Sequence, residues 1–226
     1  MKHKKSHFLL WLSILSTFLL TSITSAQTSY LDSLDGKFAL QFQISENFTL
    51  TNFQGTIFSG KYHLGKKSAV RLGLSFSLDD YDSKNETSIG DSINSGQNSS
   101  YNGVDFRIYS QYIYYPVSVS DIGFYIGSGP FIGFGNNETE QTYEIFDSTA
   151  DKSTNSNDLF TIGIDAIIGI EWSFNRWMTI SAEYGLQLYY LNTTERTEAF
   201  DRVRERNLDS FRLTSSAVKF GISVYF

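Results

Sequence analysis

The sequence predicts an all-β fold, namely an eight-stranded antiparallel transmembrane up-and-down β-barrel. Three observations support this fold class: an export leader, eight segments of alternating polarity, and connections that are short and long in turn. The composition agrees, because aromatic residues make up 16% of the chain and only two prolines occur, which favours strands.

The N-terminus has the three parts of a secretory signal peptide. Three lysines lie among the first five residues, an apolar run covers about 13 residues at 8–20, and small residues close the region at 24–26. The apolar run is shorter than the roughly 20 residues that a membrane-spanning helix needs. We therefore predict a signal peptide at 1–26, a short N-terminal segment at 27–36 and the barrel at 37–226.

Charge and cysteine content exclude several classes of protein. The chain has no cysteine, so the fold holds no disulfide and no cysteine-linked lipid. The leader carries three of the 18 basic residues and none of the 24 acidic ones, so the mature net charge is −9. Because nucleic-acid binding needs clustered Lys and Arg to neutralise phosphates, we expect no nucleic-acid partner.

Alternation of apolar and polar residues predicts the strands. In the third segment Val70, Leu72, Leu74, Phe76 and Leu78 alternate with small or polar residues, which places the two sets on opposite faces. Eight such segments are predicted, at 37–46, 54–64, 69–79, 102–115, 122–134, 159–172, 177–190 and 213–226.

Segment length favours a membrane barrel over a soluble sandwich. The segments have 10–14 residues, whereas soluble strands average about 5–6 and a tilted strand needs about 9–11 to cross a bilayer. The polar faces are rich in Gly, Ser and Thr, which suits the inside of a narrow barrel. Periodicity alone does not say which face is inside, so a soluble lipocalin-like barrel with its apolar face inward stays open as an alternative.

The connections assign the two ends of the barrel. Links at 65–68, 117–121 and 173–176 are short, which is typical of periplasmic turns. Long polar loops are predicted on the external side at 80–101, 135–158 and 191–212, while the first external loop, around 47–53, is short. An aromatic girdle is predicted at the short-turn end from Tyr112, Tyr114, Tyr115, Trp172, Trp177, Tyr225 and Phe226.

The last strand carries a family resemblance. Phe220, Ile222, Val224 and Phe226 alternate to the final residue. In this pattern the mature chain resembles the small outer-membrane β-barrel family, the OmpA/OmpX-like group, and Gln27 after the cleavage site resembles exported proteins of the Bacteroidetes.

The resemblance carries expectations about location and partners. It implies a porin-like barrel in the cell outer membrane of a Gram-negative cell envelope, surrounded by lipid and lipopolysaccharide. It also implies that Phe220, Ile222, Val224 and Phe226 form the assembly signal that the barrel assembly machinery reads. We further expect a monomer.

Charged residues on the inward face suggest an interior ion network. Arg107, Asp165, Glu183 and Lys219 are predicted to meet near mid-barrel, and Arg71 and Glu171 to form a second layer nearer the periplasm. An eight-stranded barrel is filled by side chains, and charges sealed there must be paired. Two interpretations remain open: a structural network, or a gate whose partners exchange to open a narrow path.

No catalytic residue, metal site or cofactor is predicted. His63 is the one histidine of the mature chain and lies at the periplasmic end, so the outer rim has no His base. The acidic stretch 79–86 fails the EF-hand pattern, since Lys84 and Asn85 occupy the wrong positions. Arginines within 195–206 could contact lipopolysaccharide phosphates or pair with the interleaved acids.

The expected function is therefore non-enzymatic. We predict an integral outer-membrane barrel with a structural or surface-binding role through its long external loops. A narrow pore for small solutes, gated by the interior ion pairs, is the alternative. A subunit of a larger envelope or secretion machine is a third possibility.

Overall fold

The computed structural model describes residues 30–45, 56–88, 94–145, 148–199 and 202–226. The predicted signal peptide, its cleavage site and the loop at 47–53 lie outside these ranges. Within them no helix is long and apolar enough to cross a membrane. A one-turn 3₁₀ helix at Tyr30–Ser33 precedes nine strands: β1 Phe38–Ile44, β2 Thr56–Gly65, β3 Ser68–Ser88, β4 Asn94–Val119, β5 Ile122–Ile145, β6 Ser148–Asn175, β7 Met178–Ala199, β8 Arg202–Ser215 and β9 Lys219–Tyr225.

The strands form a closed antiparallel ring. Consecutive strands from β1 to β7 pair in order, and β9 pairs with both β7 and β1. β8 and β9 are separated by residues 216–218 and both pair with β7, so they are two parts of the eighth wall strand. The predicted fold class, an eight-stranded up-and-down barrel, is confirmed.

The apolar face of the wall points outward. Leu72 and Ile168 keep 59% and 62% of their surface exposed, whereas Arg71 keeps 1%. The lipocalin-like alternative, with the apolar face inward, is therefore wrong. A barrel with a bulky apolar exterior and a polar interior is the arrangement that a lipid bilayer requires.

Three of the predicted loops are in fact strands. β3 continues to Ser88, β4 begins at Asn94, and β6 has 28 residues from Ser148 to Asn175. The polar stretches pair along their own hairpins, so their backbone groups are satisfied without an apolar face. Because both faces of these stretches are polar, alternation could not reveal them. We call the described residues within 79–103, 135–159 and 191–210 the protruding sheet.

A polar collar marks the lower limit of the protruding sheet. On β6 the outward apolar series ends at Phe160 and the next outward residue is Asp158. Asn136 donates to Asp158 at 2.7 Å, and Asn192 donates to Asp209 at 2.7 Å. Hydrogen bonds from Tyr190 and Asn192 lower the pKa of the Asp209 carboxyl. The first outward residue beyond the apolar series is Asp or Asn on six strands, at Asp80, Asn102, Asn136, Asp158, Asn192 and Asp209.

Glycines opposite tyrosines let the narrow interior fill. Gly73 pairs with Tyr109 and Gly169 pairs with Tyr125. A Cβ added at Gly169 would lie 2.3 Å from the Tyr125 ring, so the missing side chain is the space that the ring occupies. Glycines at these inward positions therefore leave room for the rings of inward tyrosines on the neighbouring strands.

The aromatic girdle at the short-turn rim is smaller than predicted. Tyr112, Trp172 and Trp177 are exposed on the outside as expected, but Tyr115 and Tyr225 are buried inside the barrel. Alternation accounts for this difference, because neighbours in a strand point to opposite faces and Tyr114 takes the outward position beside Tyr115. The two inward tyrosines belong to the interior described next.

Candidate functional site inside the barrel

The lower interior layer is built around the carboxylate of Glu171. Lys61 Nζ lies 2.7 Å from Glu171 Oε1 and 2.9 Å from Oε2. Tyr115 donates to Glu171 Oε2 at 2.6 Å, while Thr179 and Tyr225 donate to Oε1 at 2.6 and 2.9 Å. A buried carboxylate is tolerated where a cation and several donors surround it, and this set provides both.

The upper interior layer is built around Arg71 and Glu183. Arg71 Nη1 lies 2.8 Å from Glu183 Oε2, and both side chains keep 1% exposure. Arg71 Nε also donates to Gln111 Oε1 at 2.7 Å, and Tyr125 donates to Glu183 Oε2 at 3.1 Å. Lys219 Nζ stands 3.8 Å from Glu183 Oε1, the longest ion pair of the layer. The layer spans strands from opposite walls and so closes the cross-section.

The six residues of the sequence-predicted network are distributed over these layers and the space above them. Glu183 and Lys219 lie in one layer, and the cation closest to Glu183 is Arg71. Glu171 is held by Lys61, a residue that the prediction left outside the network. Asp165 accepts from Gln111 Nε2 at 2.7 Å.

Arg107 stands above the Arg71–Glu183 layer. It donates from Nη1 to Gln187 Oε1 at 3.2 Å, and its guanidinium carbon lies 5.0 Å from the centre of the Phe131 ring. The Arg107 side chain also borders a cavity between this layer and the protruding sheet.

Residues at the N-terminus close the short-turn rim from inside. The 3₁₀ helix at Tyr30–Ser33 lies across the opening, where Leu31 and Leu34 keep 3% and 2% exposure. These two leucines pack with Tyr115 and Tyr225 in one apolar cluster. Backbone hydrogen bonds hold the segment on both sides, from Tyr30 N to Ser120 O and from Gly36 N to His63 O. We call residues 30–36 the N-terminal seal.

His63 sits between the seal and the lower layer. Its side chain is fully buried, its Nε2 lies 3.3 Å from the Tyr225 hydroxyl, and its ring stacks on Tyr115. The position agrees with a packing role.

A cavity of about 170 Å³ lies above the Arg71–Glu183 layer, toward the protruding sheet. We call it the outer cavity. Local sequence patterns did not predict this cavity, because residues on seven different strands contribute to its lining. Its lining consists of Ser45, Ile57, Ser75, Arg107, Tyr109, Phe131, Asp165, Gln187, Ser216, Ala217 and Lys219.

The predicted assembly signal lies on the outer surface of β9. Phe220 and Phe226 are 56% and 66% exposed, and Ile222 and Val224 lie between them on the same face. The strand pairs with β1 on one side and β7 on the other. Recognition of these side chains during assembly stays a prediction.

Comparison with known proteins gives structural likeness only. No protein-family model and no curated protein sequence matches the chain. The structure is similar to a major outer membrane protein from Thermus thermophilus, at 13% identity and a TM-score of 0.41, over 84% of this chain and 98% of that one. It is also similar to CarO of Acinetobacter baumannii, at 9% identity and a TM-score of 0.41, over 86% of this chain and 99% of that one. The structure is similar to CarO2 of the same organism at 12% identity and a TM-score of 0.41, over 84% of this chain and 98% of that one.

Proposed function

We propose that this protein is a sealed, non-enzymatic outer-membrane barrel that presents the protruding sheet at the cell surface as a binding platform. The observation that carries the proposal is the double closure of the lumen. The Arg71–Glu183 and Lys61–Glu171 layers fill the cross-section, and the N-terminal seal covers the opening beneath them. A barrel of eight strands is wide enough for such filling and little more.

The outer surface supports the membrane location. Phe124, Ile126 and Phe134 on β5, with their counterparts on the other strands, form an apolar exterior that ends at the polar collar. An exposed apolar surface of this extent needs lipid around it. The proposed partners are therefore outer-membrane lipid and lipopolysaccharide, with the barrel assembly machinery during insertion. The barrel is proposed to be a monomer.

The protruding sheet supports the surface role. β6 extends 11 residues from Ser148 to Asp158 beyond its outward apolar series, which is roughly 35 Å of strand at about 3.3 Å per residue. The described side chains of the protruding sheet are mostly polar, and on β7 Arg196 pairs with Glu198 at 2.6 Å on the outward face. One of the arginines within 195–206 is thus paired with an acid of the same stretch.

Orientation can be tested because the chain has no cysteine. We expect Lys152→Cys, in the protruding sheet, to react on intact cells with a maleimide that does not cross membranes. Lys67→Cys, in a short turn at the opposite rim, is the matched control and should react only after lysis. Both lysines are exposed, so access to the reagent decides the result. Labelling of Lys67→Cys alone on intact cells would contradict the proposed orientation.

Conductance in planar bilayers separates the sealed barrel from the gated pore. The pore alternative is favoured by the outer cavity, which reaches down to Asp165 and Lys219. We expect no channel steps from the natural protein, and none from Arg107→Ala or Glu183→Ala, because the Lys61–Glu171 layer and the N-terminal seal remain. Glu198→Ala, on the outward face, is the control. Each sample should first show the faster gel migration of a folded, unheated barrel. Raised conductance in Arg107→Ala or Glu183→Ala would establish the pore.

A further inference from the structure

We propose that the outer edge of β8 in the protruding sheet binds an extended polypeptide with an acidic residue at every second position, which adds to the sheet as a further strand. The inference deepens the proposed function and rests on it, since the edge must lie at the cell surface to meet an external partner. Two features carry it: a strand edge that no described strand covers, and a row of arginines along that edge.

β8 is a terminal strand of the sheet. It pairs with β7 from Arg202 to Ser215, and no described strand pairs with its other side. Leu213 keeps 72% exposure, whereas Leu188, its pairing partner on β7, keeps 54%. In an antiparallel edge strand, alternate N–H and C=O groups point away from the partner strand. These groups are available for the backbone hydrogen bonds that hold an added strand.

The chain between β1 and β2 is too short to cover the upper part of this edge. Ten residues, 46–55, separate Ser45 from Thr56, so a turn there extends at most about 17 Å beyond Ile44. Ile44 is level with Phe220 in the β1–β9 register. Arg206 lies 14 residues farther along the same wall strand, roughly 46 Å at about 3.3 Å per residue. The edge from Arg206 upward is therefore open to a partner from outside the chain.

A row of arginines follows this open edge. Arg202, Arg204 and Arg206 are exposed and lie on one face of β8, about 6.6 Å from one to the next. On β7 the one acid directly opposite them is Glu195, across from Arg206. In the part of the chain that the structure describes, none of the three arginines forms an ion pair. The edge thus carries three like charges with little compensation.

An acidic strand complements this row. Residues directly opposite each other on neighbouring strands lie about 5 Å apart, and pairs of opposite charge stabilise the sheet while pairs of like charge destabilise it. Acids at alternate positions of an added strand would each meet an arginine. The other face of the edge carries Val203, Glu205 and Asn207, which have no common charge. The preferred partner therefore alternates acidic residues with uncharged ones.

The opposite edge of the protruding sheet has the opposite charge. The register of β3 with β2 ends at Phe76, so the upper part of β3 is the other edge among the described strands. This part contains Asp79, Asp80 and Asp82. An acidic strand would be repelled there, so charge selects β8.

Height above the membrane favours a polypeptide over lipid phosphates. Asp209 belongs to the polar collar, and Arg206 and Arg202 lie three and seven residues beyond it, roughly 10 and 23 Å along the strand. The headgroup layer is about 5–8 Å thick on each side of a bilayer. With a strand tilt of about 45°, Arg204 and Arg202 stand above this layer. Phosphates would also leave the backbone groups of the edge unused.

The test uses a short labelled peptide in which glutamate alternates with threonine, and the refolded protein in zwitterionic detergent micelles. Fluorescence anisotropy measures the affinity. We expect a peptide of the same composition with its glutamates in one block to bind several-fold more weakly, because its acids fall on both faces. A copy of the alternating peptide with its alternate amides N-methylated keeps every charge but lacks the donors of one edge, and it should not bind.

Variants of the arginine row test the charge pairing. Arg204→Gln should weaken binding of the alternating peptide about threefold, and the triple change of Arg202, Arg204 and Arg206 to Gln about tenfold or more. Arg196→Gln removes the same charge from the outward face of β7 and is the matched control, expected to change nothing. Changing the three arginines to Glu should abolish binding of the glutamate peptide and create binding of a lysine–threonine peptide. Each variant should first show the gel migration of a folded barrel.

Hydrogen exchange tests strand addition itself. The bound peptide should slow the exchange of alternate amides between Arg202 and Ser210, because those amides point away from β7. The amides of the β3 edge, from Asp79 to Ser83, should exchange as before.

Three results would overturn the proposal. Equal affinity for the blocked or N-methylated peptide would mean simple charge attraction without strand addition. Binding of lipopolysaccharide but not of the peptide, lost in the triple variant, would make the row a phosphate site. Self-association of the protein that the triple variant abolishes would give the edge to a second copy. Binding in micelles depends neither on orientation in a cell nor on a closed lumen, so its failure is distinguishable from failure of the labelling or conductance experiments.

Discussion

Glu171→Ala is expected to lower the free energy of unfolding by about 3–5 kcal/mol, the range found when one partner of a buried ion pair is removed. The substitution would leave the Lys61 ammonium buried at 2% exposure without its carboxylate. It would also remove the acceptor of Tyr115, Thr179 and Tyr225. Urea unfolding in lipid vesicles, followed by tryptophan fluorescence, measures the change.

Two further variants separate the ion pair from the loss of volume. Glu171→Leu combined with Lys61→Met removes both charges and keeps the interior filled, so it should recover the part of the lost stability that comes from the unpaired Lys61 ammonium. The part that comes from the three hydroxyl groups left without their acceptor should remain lost. Glu198→Ala removes a half-exposed carboxylate that pairs with Arg196 and should cost about 1 kcal/mol or less. If Glu171→Ala cost no more than Glu198→Ala, the lower layer would not hold the barrel together.

Leu34→Ala is expected to lower the free energy of unfolding by about 2–5 kcal/mol, as large-to-small changes in a packed core do. Leu34 precedes the first strand, yet it is 2% exposed and packs with Leu31, Tyr115 and Tyr225. The expected cost is therefore that of a core residue, although the residue lies outside the wall. The same urea titration applies.

Asp35→Ala is the matched control for the N-terminal seal, because Asp35 is the exposed neighbour of Leu34. Its effect should stay within about 0.5 kcal/mol. Hydrogen exchange adds a local measurement: the Gly36 amide donates to His63 O at 3.1 Å and should lose protection in Leu34→Ala. Unchanged protection and stability in Leu34→Ala would mean that the seal is not packed against the barrel as described.

Alternation predicted which residues face inward, but it could not predict which of them meet. Arg71, Glu171 and Glu183 were all predicted to lie on the inward face, and all three are buried there. Their partners were assigned by counting residues up from the short-turn rim. Strand tilt and shear shift these heights between opposite walls. Arg71 therefore pairs with Glu183, and Lys61 with Glu171, across the lumen.

The alternation of apolar and polar residues could not predict two other features, the N-terminal seal and the protruding sheet, for a different reason. The N-terminal seal is too short to show a repeat. Leu31 and Leu34 are buried only because they cover the barrel opening, which the local sequence does not reveal. Both faces of the protruding sheet are polar, so its strands carry no apolar alternation and were predicted as loops. Backbone pairing along each hairpin, rather than side-chain burial, determines its structure.

The pairing of β1 with β9, which closes the ring, affects how the barrel forms. β1 and β9, which complete the ring, have seven residues each, whereas β6 has 28. They pair Ala39 with Tyr225, so the shortest strands join nearly the two ends of the described chain. Loop-closure entropy makes such a contact the slowest to form. The nascent protein should thus remain an open sheet with two bare edges until its last strand arrives, and its lifetime in that state sets its exposure to aggregation.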